Sequence, residues 1–550
     1  MTRKSLLLLL SIVASLAIAV VAYFWATGMM DSLYAYRSPL AKQPPAPGAP
    51  LADGLTRRVV FVLIDGLRAD TAADPQVMPF LNELRAQGAS ATVHSETPSY
   101  SAPGYTVLFT GAWPEFSDGP PMNLAYEEYT PWTQDHLFAA AKRAGLTTAI
   151  AGFDWFEKMV PQDTVDGAYY TAGEDDAADR AIVAAALPWL RDDAHGLTLV
   201  HLLQVDYAGH HQGGPQDPRW NEAARRADEL LRELVATLDL TQDTVLVTSD
   251  HGHIERGGHG GQEPVVLAEP LVMAGAGVKP GTYSDGQQVD IAPTLAALLG
   301  TAIPAAAQGQ ALTDMLDLPA GALAGVQSAT QMQRQGLAAA YSAASGQEIV
   351  VKAGDDPAAA IVAARAARAT SQRLPRLLLA AALVGLLALA AWRRRSRTLA
   401  WMTAAALVYA LIFNLKYALL DGRTYSLSSV ASADDLIAAV AINAALALVL
   451  AWLALLAGLR LYRQPAAVAA QGTLAWSLLT MALVGLPALL SFVVNGVQVS
   501  WTLPEPATYF LGFLAALQLL IIAVVGLLLA GIAALIGAAG SRSRSALVGG

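Results

Sequence analysis

The chain has 550 residues, 54% of them hydrophobic, and a mean hydropathy of +0.40. That is too apolar for an ordinary soluble protein, and the length accommodates one large domain plus further structure. A net charge of −10 and a pI near 5.4 argue against nucleic acid as a partner, and the lack of any cysteine excludes a disulfide framework and a thiolate metal site.

The apolar excess lies at the start and in the last third of the chain. Thr2-Arg3-Lys4 precedes an apolar run from Ser5 to Trp25, close to the roughly 20 residues that span a bilayer. The run ends in Tyr23-Phe24-Trp25, residues that favour a membrane interface. This predicts a retained transmembrane helix over residues 1–30 in preference to a cleaved signal. Arg3 and Lys4 hold its N-terminus in the cytoplasm. Residues 31–57, with a Pro/Ala/Gly stretch from Pro39 to Pro50, read as a linker.

Residues 58–304 read as an α/β domain. Apolar runs from Val59 to Ile64, Thr147 to Gly152, Leu197 to Val205 and Asp243 to Val247 have strand character. Helical patterns lie between them, at Met78–Gln87, Trp132–Ala144 and Asn221–Leu238. Such alternation predicts a mostly parallel sheet sandwiched by helices. Three of the strands lead to an aspartate: Asp65, Asp206 and Asp250. Open α/β sheets place ligand sites at that edge. Crowded carboxylates repel one another, and cations would relieve the repulsion. Asp65, Asp206, His210, Asp250, His251 and His259 are therefore read as one constellation. Asp and His without Cys suit zinc or another divalent ion of similar hardness. Ser101 stands two residues before Pro103 and is predicted to cap a helix. A helix N-terminus also favours phosphate and an alkoxide, which makes Ser101 a candidate nucleophile.

Residues 305–374 read as a helical connector. Apolar runs then follow at about 375–392, 399–420, 435–459, 473–495 and 508–538, each long enough to span. They define a five-helix transmembrane domain over 375–540 and a cytoplasmic tail at 541–550. Arg393–Arg395, Arg397, Arg460, Arg463, Arg542 and Arg544 fall on the side that Arg3 and Lys4 occupy. Six spans with both termini in the cytoplasm, and the α/β domain outside, satisfy the positive-inside rule. Lys416 lies inside one span beside Asn414 and is read as snorkelling to the interface rather than meeting a lipid head group.

Several segments, taken in order, resemble the motifs of the alkaline phosphatase superfamily. They are Asp65-Gly66-Leu67-Arg68-Ala69-Asp70, Ser101-Ala102-Pro103-Gly104, Asp206-Tyr207-Ala208-Gly209-His210, Asp250-His251-Gly252, Gly258-His259-Gly260 and Gln288-Val289-Asp290-Ile291-Ala292-Pro293-Thr294. Within it they look most like the glycosylphosphatidylinositol (GPI) ethanolamine phosphate transferases and the nucleotide pyrophosphatase/phosphodiesterases. The resemblance implies an alkaline-phosphatase-like fold and two divalent ions, most naturally Zn2+. Asp206, His210 and His259 would hold one ion; Asp65, Asp250, His251 and Ser101 would hold the other. It implies a covalent Ser101 intermediate, with phosphoethanolamine moved from a donor such as phosphatidylethanolamine to a glycan or lipid hydroxyl. Gly111-Ala112-Trp113-Pro114-Glu115 and Met122-Asn123 resemble a diesterase segment. That likeness implies Asn123 as a donor to phosphate, while a turn residue is the equal alternative.

The chain also departs from these patterns. His253 stands where the transferases usually have Met, and is read as an exposed loop residue rather than a substrate contact. Tyr105 stands where sulfatases need Arg, which speaks against sulfate-ester hydrolysis. Transferase and phosphodiesterase share all of these residues. Five further spans favour a transferase with a lipid donor. A transporter or scaffold with a degenerate domain is the non-enzymatic alternative.

Overall fold

The structure is a computed structural model that describes residues 3–51, 53–351 and 356–548. Thr2 lies outside the described residues, as do the side chains of Arg3, Lys4, Arg542 and Arg544, on which the positive-inside reading partly rests. The chain divides into two compact units. One is Tyr34–Arg368 with Ser500–Leu503; the other comprises Met1–Leu33, Ala369–Val499 and Pro504–Gly550.

The first unit is built on a sheet of nine strands among the described residues. They are β1 Arg58–Ile64, β2 Ala89–His94, β3 Thr148–Phe153, β4 Gly167–Thr171, β5 Leu197–Leu202, β6 Asp243–Thr248, β7 Ala268–Gly275, β8 Gly281–Thr282 and β9 Gly286–Gln287. Their order is β4-β3-β5-β1-β6-β7-β2-β8, with β9 also on β2. β4, β3, β5, β1 and β6 run parallel. β7 runs against β6 and β2. The predicted mostly parallel sheet is thus observed.

β1 shows why both faces are covered. Val59, Phe61 and Leu63 enter one core and Val60, Val62 and Ile64 the other. Successive side chains on a strand point to opposite faces, so a run apolar at every position needs helices on both sides. Each of these six fully buried side chains contributes about 1.5–3 kcal/mol of burial. The helices Ser101–Thr110, Leu137–Arg143 and Ile291–Leu299 supply the first core; Pro79–Gln87, Asp176–Arg191 and Pro218–Val235 supply the second.

Asp206 does not end a strand as its sequence context predicts. β5 stops at Leu202, and Gln204–His211 is a helix with Asp206 in its first turn. The buried Asp179 carboxylate accepts the N–H groups of Leu203 and Gln204, at 2.7 and 3.3 Å. Those donors are lost to the ladder, and the chain turns into a helix despite the apolar Leu203 and Val205.

In the second unit, six helices among the described residues are long and apolar enough to cross a membrane: Ser5–Tyr34, Pro357–Arg393, Arg397–Leu420, Ala433–Leu459, Ala466–Asn495 and Pro506–Ala539. Part of Pro357–Arg393 belongs to the first unit. These six helices make the chain a multi-pass membrane protein. The fifth is broken at Gly485, between Ala466–Val484 and Leu486–Asn495. Pro487 lacks an N–H and its ring crowds the carbonyl of Leu483, which explains the break. The segment 541–550 is helical as far as Val548; residues 549–550 lie outside the description.

Lys416 has an acidic partner within its own segment. The helix widens into a π-turn at Leu415–Leu420, and the Asp421 N–H reaches the Lys416 carbonyl at 2.8 Å. The turn brings Asp421 back to Lys416, whose Nζ lies 2.6 Å from Asp421 Oδ1. Asn443 donates to Asp421 Oδ2 at 2.7 Å, and Arg423 grips Asp435 with two bonds of 2.8 Å.

Candidate metal centre and nucleophile

β5, β1 and β6 are adjacent and parallel, so their carboxyl ends share one edge. Asp65 directly follows β1, and Asp250 and His251 follow β6 by two and three residues. Asp206 and His210 lie one turn apart on the helix after β5, so they present the same face. His259 arrives on the Gly-rich loop that continues from His251.

Two groups of ligand atoms converge there. In the first, Asp206, His210, His253 and His259 bring one atom each within 4.8 Å of the others. His210 Nε2 lies 2.9 Å from His259 Nε2, and those two nitrogens lie 3.6 and 3.7 Å from Asp206 Oδ1. In the second, Asp65, Asp206 and His251 meet the same criterion. His251 Nε2 lies 3.5 Å from Asp65 Oδ1, 3.3 Å from Asp250 Oδ2 and 3.2 Å from Ser101 Oγ. The predicted second ligand set thus surrounds one imidazole nitrogen, and Asp206 lies between the two groups.

These donors fit divalent ions on a structural test. Asp65 Oδ1 and Asp250 Oδ2 are buried and, among the described residues, have no hydrogen-bond partner. An unpaired buried polar atom is costly, and two of them beside one imidazole nitrogen form a cradle for a cation. Burial, reinforced by Asp65 and Asp206, raises the Asp250 carboxyl well above its ordinary range. Burial also raises Asp206, but His210, His253 and His259 outweigh it and hold that carboxyl low. Burial lowers His251, and burial followed by His251 lowers His259 further. Burial thus favours the neutral form of both rings, the form that ligates metal.

Asp65 is held by two groups that sequence reasoning missed. Tyr105 OH donates to its Oδ2, and His201 Nε2 lies 3.0 Å from the same oxygen. This leaves Oδ1 facing the cluster. His201 offered a signal, as a polar residue inside the apolar β5 run; Tyr105 offered none. Gln288 also contributes, donating to the Asp250 carbonyl at 2.7 Å.

Ser101 is the first helical residue of Ser101–Thr110, and Tyr100 is the N-cap. The expected side-chain cap is absent, and Ser101 Oγ turns instead to His251. Gly104 allows this approach: a Cβ there would lie 2.9 Å from the Asp250 Cβ. Asn123 is half-buried, and its Oδ1 accepts the Ala102 N–H at 3.0 Å.

His253 is not an exposed loop residue. It is 0% exposed, and its Nε2 lies 2.8 Å from Asp206 Oδ1. Burial pushes its imidazole down to about 4.

Residues 59–275 match the family described as type I phosphodiesterase / nucleotide pyrophosphatase. The human GPI ethanolamine phosphate transferase 3 catalytic subunit is 27% identical over 354 residues, covering 57% of this chain and 32% of its own length. The Aspergillus fumigatus GPI ethanolamine phosphate transferase 2 is 26% identical over 286 residues, covering 47% of this chain and 37% of its own. The match thus spans about a third of the length of these curated relatives. Human ectonucleotide pyrophosphatase / phosphodiesterase 5 aligns with a TM-score of 0.40 at 15% identity, over 48% of this chain and 100% of that one. The resemblance read from the motifs agrees with the family match and with these curated relatives.

Proposed function

We propose that this protein is a metal-dependent phosphoryl-head-group transferase of the membrane. In this reading it moves phosphoethanolamine from a lipid such as phosphatidylethanolamine to a glycan or lipid hydroxyl. The observation that carries the reading is Ser101 Oγ at 3.2 Å from His251 Nε2, beside the two unpaired oxygens of Asp65 and Asp250. The named relatives support the transferred group.

Asp206, His210 and His259 would hold one ion, and Asp65, Asp250, His251 and Ser101 the other. When bound, such ions supply positive charge for an in-line displacement at phosphorus and lower the hydroxyl pKa of the nucleophile. The chain's residues do the rest. Ser101 Oγ gives up its proton and forms a bond to phosphorus as the bond to the diacylglycerol oxygen breaks; that oxygen takes up a proton and leaves as diacylglycerol, with the head group on Ser101. An acceptor hydroxyl then attacks phosphorus, and the Ser101 bond breaks. The N-terminus of Ser101–Thr110 favours the anionic phosphoryl group. Asn123 uses its oxygen on Ala102 N–H, which leaves its amide nitrogen for a phosphate oxygen. Both termini lie in the cytoplasm, and the sheet-bearing unit works outside it.

Phosphodiester hydrolysis, with water as acceptor, is the second reading, favoured by the family description over residues 59–275. Incubation with labelled phosphatidylethanolamine separates the two. Release of diacylglycerol, with a phosphoethanolamine mass on Ser101, is expected. Turnover of soluble nitrophenyl diesters without diacylglycerol would overturn the transferase reading in favour of the hydrolase.

A further inference from the structure

Three imidazoles from one loop meet this cluster, and their protons are arranged differently. His251 Nδ1 lies 3.2 Å from the Gly252 carbonyl, and His259 Nδ1 lies 3.0 Å from the Ser99 carbonyl. A carbonyl only accepts, so each Nδ1 carries the hydrogen and each Nε2 offers a lone pair to the centre. At His253 the order is reversed. The Gly258 N–H donates to Nδ1 at 2.9 Å. A backbone N–H only donates, so Nδ1 holds the lone pair and the ring's hydrogen sits on Nε2. That nitrogen lies 2.8 Å from Asp206 Oδ1.

We infer that His253, although it completes a four-residue cluster with Asp206, His210 and His259, is not a metal ligand but a positioning residue that donates Nε2–H to Asp206. The inference rests on the two-ion reading above. Ligation through Nε2 would require the ring to surrender its only proton while Gly258 still occupies Nδ1. The ring plane is also fixed. His253 lies in a slot made by two glycines: a Cβ on Gly209 would fall 2.3 Å from its Cε1, and one on Gly66 would fall 2.8 Å from its Nε2. Trp220 closes the slot edge-on, with its ring centre 5.2 Å away. His253 therefore fixes the carboxylate that serves both ligand groups. A methionine would fill the slot but could not donate.

The test uses the full-length chain in detergent, with zinc titrated against a competing chelator. His253→Met should keep two zinc equivalents at saturation but bind one of them roughly 10- to 100-fold more weakly. His253→Gln, whose amide N–H reaches where Nε2 stood, should recover most of that affinity. His259→Ala should lose a full equivalent. Loss of a full equivalent in His253→Gln, or unchanged affinity in His253→Met, overturns the inference. Absence of zinc from the unsubstituted chain overturns the two-ion reading and this inference together. Thermal unfolding in chelator checks that each variant folds; should His253→Met fail, the comparison of His253→Gln with His259→Ala decides alone.

Discussion

Asp65, Asp206 and Asp250 in the sheet-bearing unit, and Asp421 and Asp435 in the helical unit, are acids of the same chain held in two different ways. In the helical unit each meets a cation from its own neighbourhood: Lys416 at 2.6 Å for Asp421, and Arg423 at 2.8 Å for Asp435. In the sheet-bearing unit the three carboxylates meet imidazoles and uncharged donors but, among the described residues, no lysine or arginine, and two oxygens have no hydrogen-bond partner there. Removing charge from water is costly unless a counter-charge accompanies it. The helical cluster carries its own, whereas the other needs cations from outside. Burial alone therefore does not mark a working acid; an absent counter-charge does.

Ser101→Ala tests the needy side of this contrast most severely. Turnover of a labelled diester should fall roughly 10³-fold or more, while zinc content stays at the unsubstituted level. Unimpaired turnover removes Ser101 from the chemistry. Tyr105→Phe is milder. It removes one of the two groups on Asp65 Oδ2, yet the ring keeps its stack on Phe156 at 4.9 Å. Zinc affinity should drop roughly tenfold with the fold intact, as read by chelator competition. Unchanged affinity would reduce Tyr105 to packing.

Lys416→Gln probes the self-neutralised side. Its partner loses a cation within a quarter-exposed pair, so thermal unfolding should report a loss of about 1–2 kcal/mol with zinc content unchanged. Loss of zinc would erase the distinction between the clusters. A further test concerns pH. Burial raises the Asp179 carboxyl from an ordinary 3.8 to about 7, against the hydrogen bonds from Leu203 and Gln204. Between those values the folded chain binds a proton that the unfolded chain lacks, so Asp179 makes stability fall as pH rises through that window. Asp179→Asn should flatten the slope of unfolding temperature between about pH 4 and 7. A slope as steep as the original would show that other groups set it.

The sequence made some of this legible and concealed the rest for physical reasons. Asp65, Asp250 and His251 could be found because each follows closely on a short, largely apolar and β-branched run, which suits a strand buried on both faces. The helical setting of Asp206 could not, because the carboxylate that diverts the chain, Asp179, lies on another element. The burial of His253 depends on Gly66 and Gly209, whose lack of side chains opens its slot. The fate of Lys416 depends on a π-turn, which local periodicity does not announce. The reversal of β7 was equally hidden, since a buried apolar strand reads alike in either direction.

The absence of a side chain at Gly104 has a practical consequence. The serine-bearing helix rests on the Asp250 backbone and Cβ with only hydrogen between them, so any added methyl wedges the nucleophile away from its surroundings. A mutational scan scored by product alone would group Gly104 with the chemistry, although its part is to let Ser101 approach. If the proposed transfer is right, efforts to retune it for other acceptor hydroxyls should leave that seam untouched and vary the rim.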